Sequence, residues 1–269
     1  MMIRIKKKQR EPRKKHRDFS SASKACVAVV FVIIFVYCLA RVPFSYTHSS
    51  SLRASSKPVS KPPFVPPFRK RSDLAKILQE EGGFYVGVEL GVQRGHFADK
   101  MLLNWPDATR YVLVDAWREL ESYEDVANVD NQKQQENYEA TMKRMQKHKD
   151  RGVSVDVCRD ITTRCVQDFQ NGEFDFIYVD ARHDRKGVYL DMTQWWPKLR
   201  KGGIMCGHDY VIQSEVGAQN WTVNFDGTVD HTGLVVKGAV DDFARQHRLP
   251  ITVSYREHNW NTWCLRTPW

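Results

Sequence analysis

Phe84-Tyr85-Val86-Gly87-Val88-Glu89-Leu90-Gly91-Val92-Gln93-Arg94-Gly95 opens the part of the chain that decides its fold. The stretch begins as an apolar strand, turns on two glycines, and runs into a helical pattern over His96–Asn104. Strand, glycine turn and helix start a βαβ unit. A dinucleotide-binding turn needs G-x-G-x-x-G, so that backbone can approach a pyrophosphate. Here the spacing is E-x-G-x-x-x-G, with an acid one residue before the end of the strand.

Downstream, residues 111–115 read as a second strand ending in Asp115, followed by a helix over 131–151. Strands are predicted at 153–157 and 174–180, with a helix over 162–169 between them. A helix over 185–199 presents Val188, Met192, Trp195 and Leu199 as one apolar stripe, and a strand follows at 204–206. After a loop-like stretch from 213 to 236 come a helix over 238–247 and strands near 251–254 and 260–266. Strands alternating with helices predict an α/β fold with a parallel, doubly wound, Rossmann-like sheet.

Charge divides the chain of 269 residues. Residues 1–24 hold ten basic and two acidic side chains, residues 25–70 six and none, and residues 71–269 twenty-five and thirty. The globular part is therefore net acidic although the whole chain is +9, which argues against a nucleic-acid partner. Residues 25–44 hold an apolar run interrupted only by Arg41, about the 20 residues needed to span a bilayer. The basic tail before it places residues 1–24 on the cytosolic side and the rest across the membrane. Three other readings of the same run compete: a cleaved signal peptide, with Cys38 and Ala40 spaced like a cleavage site, an organelle-targeting peptide and a buried core helix. Residues 45–70, rich in Ser and Pro, form a disordered stem. The expected order is tail (1–24), transmembrane signal anchor (25–44), stem (45–70) and globular domain (71–269). This is the layout of a type II membrane protein of the secretory pathway, in the ER or Golgi, with a lumenal domain.

A second block carries the chemistry: Phe174-Asp175-Phe176-Ile177-Tyr178-Val179-Asp180-Ala181-Arg182-His183-Asp184, then Gly202-Gly203-Ile204-Met205-Cys206-Gly207-His208-Asp209-Tyr210. Together with the Glu89–Gly95 turn it resembles the class I S-adenosylmethionine (SAM)-dependent methyltransferases. The likeness is to the subgroup with V-D-x-x-H-D after strand four and G-H-D-Y after strand five. The resemblance spans residues 84–266 and attaches no particular acceptor. It implies that Glu89, Gly91, Gly95, Asp115 and Asp160 bind SAM, with Asp115 on the ribose hydroxyls and Asp160 near adenine. A valine at Gly91 is then expected to abolish SAM binding without disturbing the fold. Asp180, His183, His208 and Asp209 are the catalytic candidates. Asp180 and Asp209 are the candidate ligands of Mg²⁺ or another divalent cation, with either histidine as an alternative, metal-free general base. Sequence alone also leaves Asp180 as a helix cap, and sets His208 and Asp209 on opposite sides of the chain.

The acceptor implied is a hydroxyl on a glycan, lipid or small molecule. Two other readings compete: a non-catalytic lumenal module of the same fold, and a glycosyltransferase, which the absence of any D-x-D disfavours. Cys158, Cys165, Cys206 and Cys264 allow three pairings if all are oxidised. Cys206 and Cys264, on core strands, are expected to be reduced. Asn220-Trp221-Thr222 is the one N-x-S/T sequon.

Overall fold

A computed structural model describes residues 62–121 and 123–269. The candidate span at 25–44, the basic tail and most of the stem lie outside these residues. Among the described residues no helix is long and apolar enough to cross a membrane.

The domain comprises α1 (Leu74–Glu81), β1 (Val86–Leu90), α2 (His96–Asn104), β2 (Arg110–Val114), α3 (Asn131–Lys149), β3 (Ser154–Cys158) and α4 (Thr162–Cys165). After these come β4 (Phe174–Val179), α5 (Arg185–Trp195), β5 (Leu199–Gly207), α6 (Val235–His247), β6 (Thr252–Val253) and β7 (Trp263–Arg266). The strands form one sheet in the order β3-β2-β1-β4-β5-β7-β6. Alternate strand residues point to opposite faces. Val112, Val114, Ile177 and Val179 pack on one side with α5 and α6. Tyr111, Leu113, Phe176 and Tyr178 pack on the other with α1 and α2. Both faces being covered explains the nearly continuous apolar runs of β1, β2 and β4.

Two expectations change here. The sheet is mixed, because β7 runs antiparallel to both β5 and β6. Residues 254–262 join β6 to β7 without a helix, and without a crossover the chain has to return antiparallel. The packed domain also begins before residue 71. Val65 and Phe68 are buried, and Tyr255 and Arg256 donate backbone hydrogen bonds to the carbonyls of Phe68 and Arg69. The apolar residues among the prolines thus join the domain.

Cys206 and Cys264 face each other across β5 and β7 and form a disulfide, correcting the expectation that they are reduced. The sequence shows both on strands but not that those strands are neighbours. A second disulfide joins Cys158 to Cys165.

Candidate active site

The order β2-β1-β4-β5 makes the boundary between β1 and β4 the topological switch point, where a crevice opens at the carboxyl ends of the strands. A cavity of about 1020 Å³ lies there. That is at the upper end for small-molecule sites, about 300–1,000 Å³, and accommodates an acceptor beside a nucleoside-sized cofactor.

Glu89, Gly91, Asp115, Asp160, Asp180, His183 and His208 all line this cavity. Gly91 adopts φ +85° and Gly95 φ +68°, backbone that favours glycine. Gly91 donates to the Val114 carbonyl, and Asp180 donates its N–H to the Leu90 carbonyl. A Cβ on Gly91 would meet the Asp180 carbonyl oxygen at 1.9 Å. The glycine is therefore required by packing between β1 and β4, and a valine there would disturb the fold as well as ligand space. Gly95 caps α2 without lining the cavity.

Asp115 accepts from the backbone N–H groups of Val92 and Gln93 through Oδ2, and from Trp117 through Oδ1, each at 2.8 Å. It braces the glycine turn, and Oδ1 keeps lone-pair capacity for a further donor. Glu89 is buried, and burial, reinforced by the charges of Asp180 and Asp115, raises its pKa well above the usual carboxylate range. Asp160 holds Arg118 at 3.2 Å and Arg164 at 3.4 Å.

The second half of the site gathers at the ends of β4 and β5. His183 Nε2 lies 3.0 Å from Asp209 Oδ2 and 3.6 Å from Asp180 Oδ1. His183 Nδ1 lies 2.8 Å from Asp125 Oδ2. Trp221 stacks on the His183 ring with centroids 4.3 Å apart, and its indole N–H donates to the same Asp125 oxygen at 3.0 Å. Burial disfavours the charged imidazole, yet Tyr123 and the carboxylates of Asp125, Asp180 and Asp209 raise the pKa of His183 well above its ordinary value.

His208 and Asp209 do not point apart. Asp209 has φ +57°, which folds the chain so that His208 Nδ1 lies against Asp209 Oδ1. His208 Nε2 is 4.0 Å from Glu257. Although burial opposes it, the Asp209 hydrogen bond and the Asp180 charge raise the pKa of His208. Burial likewise opposes the Asp209 charge, but hydrogen bonds with His183 and His208 hold that carboxyl well below its usual range. The helix cap proposed for Asp180 is supplied by Asp184, which accepts from Gly187 N–H at 2.8 Å. Asp180 is left facing the cavity.

Asp180, His183 and Asp209 each offer a ligand atom within 4.8 Å of the others. Their donor set fits a divalent cation on two counts. His183 Nε2 is buried between the carboxylates of Asp209 and Asp180, and Asp125 on Nδ1 supplies the outer carboxylate usual behind a metal-binding histidine. Asp125, Trp221, Glu257 and Arg71, which lies 3.7 Å from Asp180, escape sequence reasoning. They come from distant loops that carry no local motif.

A family model described as a methyltransferase domain matches residues 88–210. The fold is that of an O-methyltransferase from Bacillus cereus solved in complex with SAH, at 15% identity and TM-score 0.50, covering 73% of this chain and 80% of that one. TomG, an O-methyltransferase from Streptomyces achromogenes solved with SAM, matches at 15% identity and TM-score 0.48, covering 73% and 79%. None of the curated proteins matches. Residues 88–210 thus match a methyltransferase domain, within a fold that the Bacillus cereus O-methyltransferase shares.

Proposed function

We propose that the protein methylates a hydroxyl group, using a divalent cation held by Asp180, His183 and Asp209, in the lumen of the secretory pathway. The observation that carries the chemistry is the convergence of these three residues beside His208, with Asp180 and His183 lining the cavity that also holds Glu89 and Asp115. SAM, when bound, supplies an electrophilic methyl group on a sulfonium. A divalent cation, when bound, lowers the pKa of a nearby hydroxyl.

The remaining work falls to the chain's own side chains. Glu89, Asp115 and Asp160 line the cofactor side, where the acid at Glu89 faces the cationic part of SAM. His208 accepts the acceptor's hydroxyl proton on Nε2, with Asp209 orienting the ring through Nδ1. Glu257 and Arg71 border the acceptor side. The two disulfides support folding in an oxidising compartment. That suits residues 25–44 as an anchor and 1–24 as a cytosolic tail.

The test incubates full-length protein with methyl-labelled SAM and hydroxylated glycans, lipids and phenols. Labelled product is expected, lost with EDTA and restored by Mg²⁺ or Mn²⁺. Asp209→Asn should abolish turnover while SAM still binds. Turnover indifferent to EDTA would remove the metal and leave His208 as the sole proton acceptor, and failure to bind SAM would overturn the reading.

A further inference from the structure

We propose that the acceptor carries an anionic group (sulfate, phosphate or carboxylate) that seats on a cationic rim formed by Lys70, Arg94, Lys100 and Arg144. The inference rests on the methyltransferase reading and adds the class of substrate. Lys70, Arg94, His96 and Lys100 line the mouth of the same cavity. They come from three places: the lead-in segment, the end of the glycine turn, and the first turns of α2. The Arg71–Asp73 turn packs on α2, which brings Lys70 to this side. From α3, Arg144 is tied to the rim by a 2.6 Å hydrogen bond to the Arg94 carbonyl, and its guanidinium lies 3.5 Å from His96 Nε2.

Several carboxylates that line the cavity are already engaged. Asp160 pairs with Arg118 and Arg164, and Asp180 and Glu257 lie beside Arg71. Asp99, the acid on α2, is taken by Lys147 at 2.8 Å and His148 at 2.6 Å. Among the described residues Lys70, Arg94, Lys100 and Arg144 have no carboxylate partner. Three of these charges act together on His96, whose pKa is lowered by partial burial and then by Arg144, Arg94 and Lys100. A domain that is net acidic thus concentrates unpaired positive charge at one edge of its active-site mouth. An anionic ligand offsets that charge, and the field draws such a ligand in.

The experiment titrates full-length protein loaded with S-adenosylhomocysteine against an uncharged N-acetylglucosamine tetrasaccharide and its 6-O-sulfated and 6-O-phosphorylated forms. At least one charged form should bind about tenfold tighter than the uncharged one, with affinity falling as salt rises. The sulfated and phosphorylated arms separate the two sources of negative charge. Arg94→Gln/Lys100→Gln should erase that preference while SAM affinity stays at the wild-type value. Equal binding of all three sugars by protein that binds SAM normally would overturn the anionic-acceptor inference alone. A fall in SAM affinity in the double variant would also overturn it, by giving the rim to the cofactor's carboxylate. Wild-type protein that fails to bind SAM would sink the methyltransferase reading instead.

Discussion

The Asp180 carbonyl closes directly over Gly91, leaving no room for a side chain between β1 and β4. The catalytic candidate at the end of β4 and the cofactor turn after β1 are therefore set by one backbone contact. Gly91→Ala should destabilise the fold by about 2–4 kcal/mol, since it combines a left-handed φ with a backbone clash. Chemical unfolding of the full-length variant checks this. A wild-type midpoint together with lost SAM binding would return Gly91 to a purely ligand-contacting role.

Burial and the neighbouring charges of Asp180 and Asp115 raise the pKa of Glu89 well above the usual carboxylate range. A sulfonium or ammonium group placed beside it favours the carboxylate, so SAM binding should release a proton. Calorimetry in buffers of different ionisation enthalpy should show this release in wild type and not in Glu89→Gln. The variant should also bind SAM more weakly while keeping its stability near neutral pH.

Asp125 backs His183 without lining the cavity. Asp125→Asn should weaken Mn²⁺ binding by about 10–100-fold, the usual cost of losing a carboxylate behind a histidine ligand. Manganese titration followed by electron paramagnetic resonance measures it. Unchanged Mn²⁺ affinity would separate Asp125 from any metal role.

Asp191 is buried, receives the Thr162 hydroxyl, and is pushed by burial from 3.8 up to about 7. Between those values the folded protein keeps a proton that the unfolded chain has released. Its contribution to stability thus falls as pH rises through that window and levels off above about pH 7. Asp191→Asn should be more stable than wild type at pH 8, with the gap closing toward pH 4. Parallel stability curves for the two proteins would show that Asp191 does not titrate in this range.

The Cys206–Cys264 bridge clamps the last strand onto β5. Cys206→Ser/Cys264→Ser should cost about 2–5 kcal/mol. Thermal unfolding with and without reductant should then separate wild type from variant only under oxidising conditions.

Much of the α/β frame is legible in local sequence, because strands buried on both faces write apolar runs and the glycine turn writes its own spacing. The helix at His96–Asn104 matches its pattern, and α3 and β4 are matched to within two residues at either end. What local pattern does not encode is adjacency. Cys206 and Cys264 are 58 residues apart, and their pairing depends on where β7 inserts. The meeting of His208 with Asp209 depends on a left-handed backbone at a non-glycine residue, a conformation that no residue type announces. Asp125 and Trp221 reach His183 from two separate loops without periodicity. The acids and histidines that end β4 and β5 stand out in the sequence, whereas Asp125, Glu257 and the other residues packed around them do not.

Arg71 accounts for a different kind of constraint. Its backbone N–H donates to Glu257, and its guanidinium lies beside both Glu257 and Asp180. The residues just ahead of it lie against the chain around Thr252 to Arg256. The junction between the proline-rich leader and the domain is therefore part of the active-site wall. This enzyme is not a cartridge that detaches at its proline-rich boundary. Any transplant of the domain onto another leader, by gene fusion or by engineering, must carry the residues from Val65 onward or rebuild that wall.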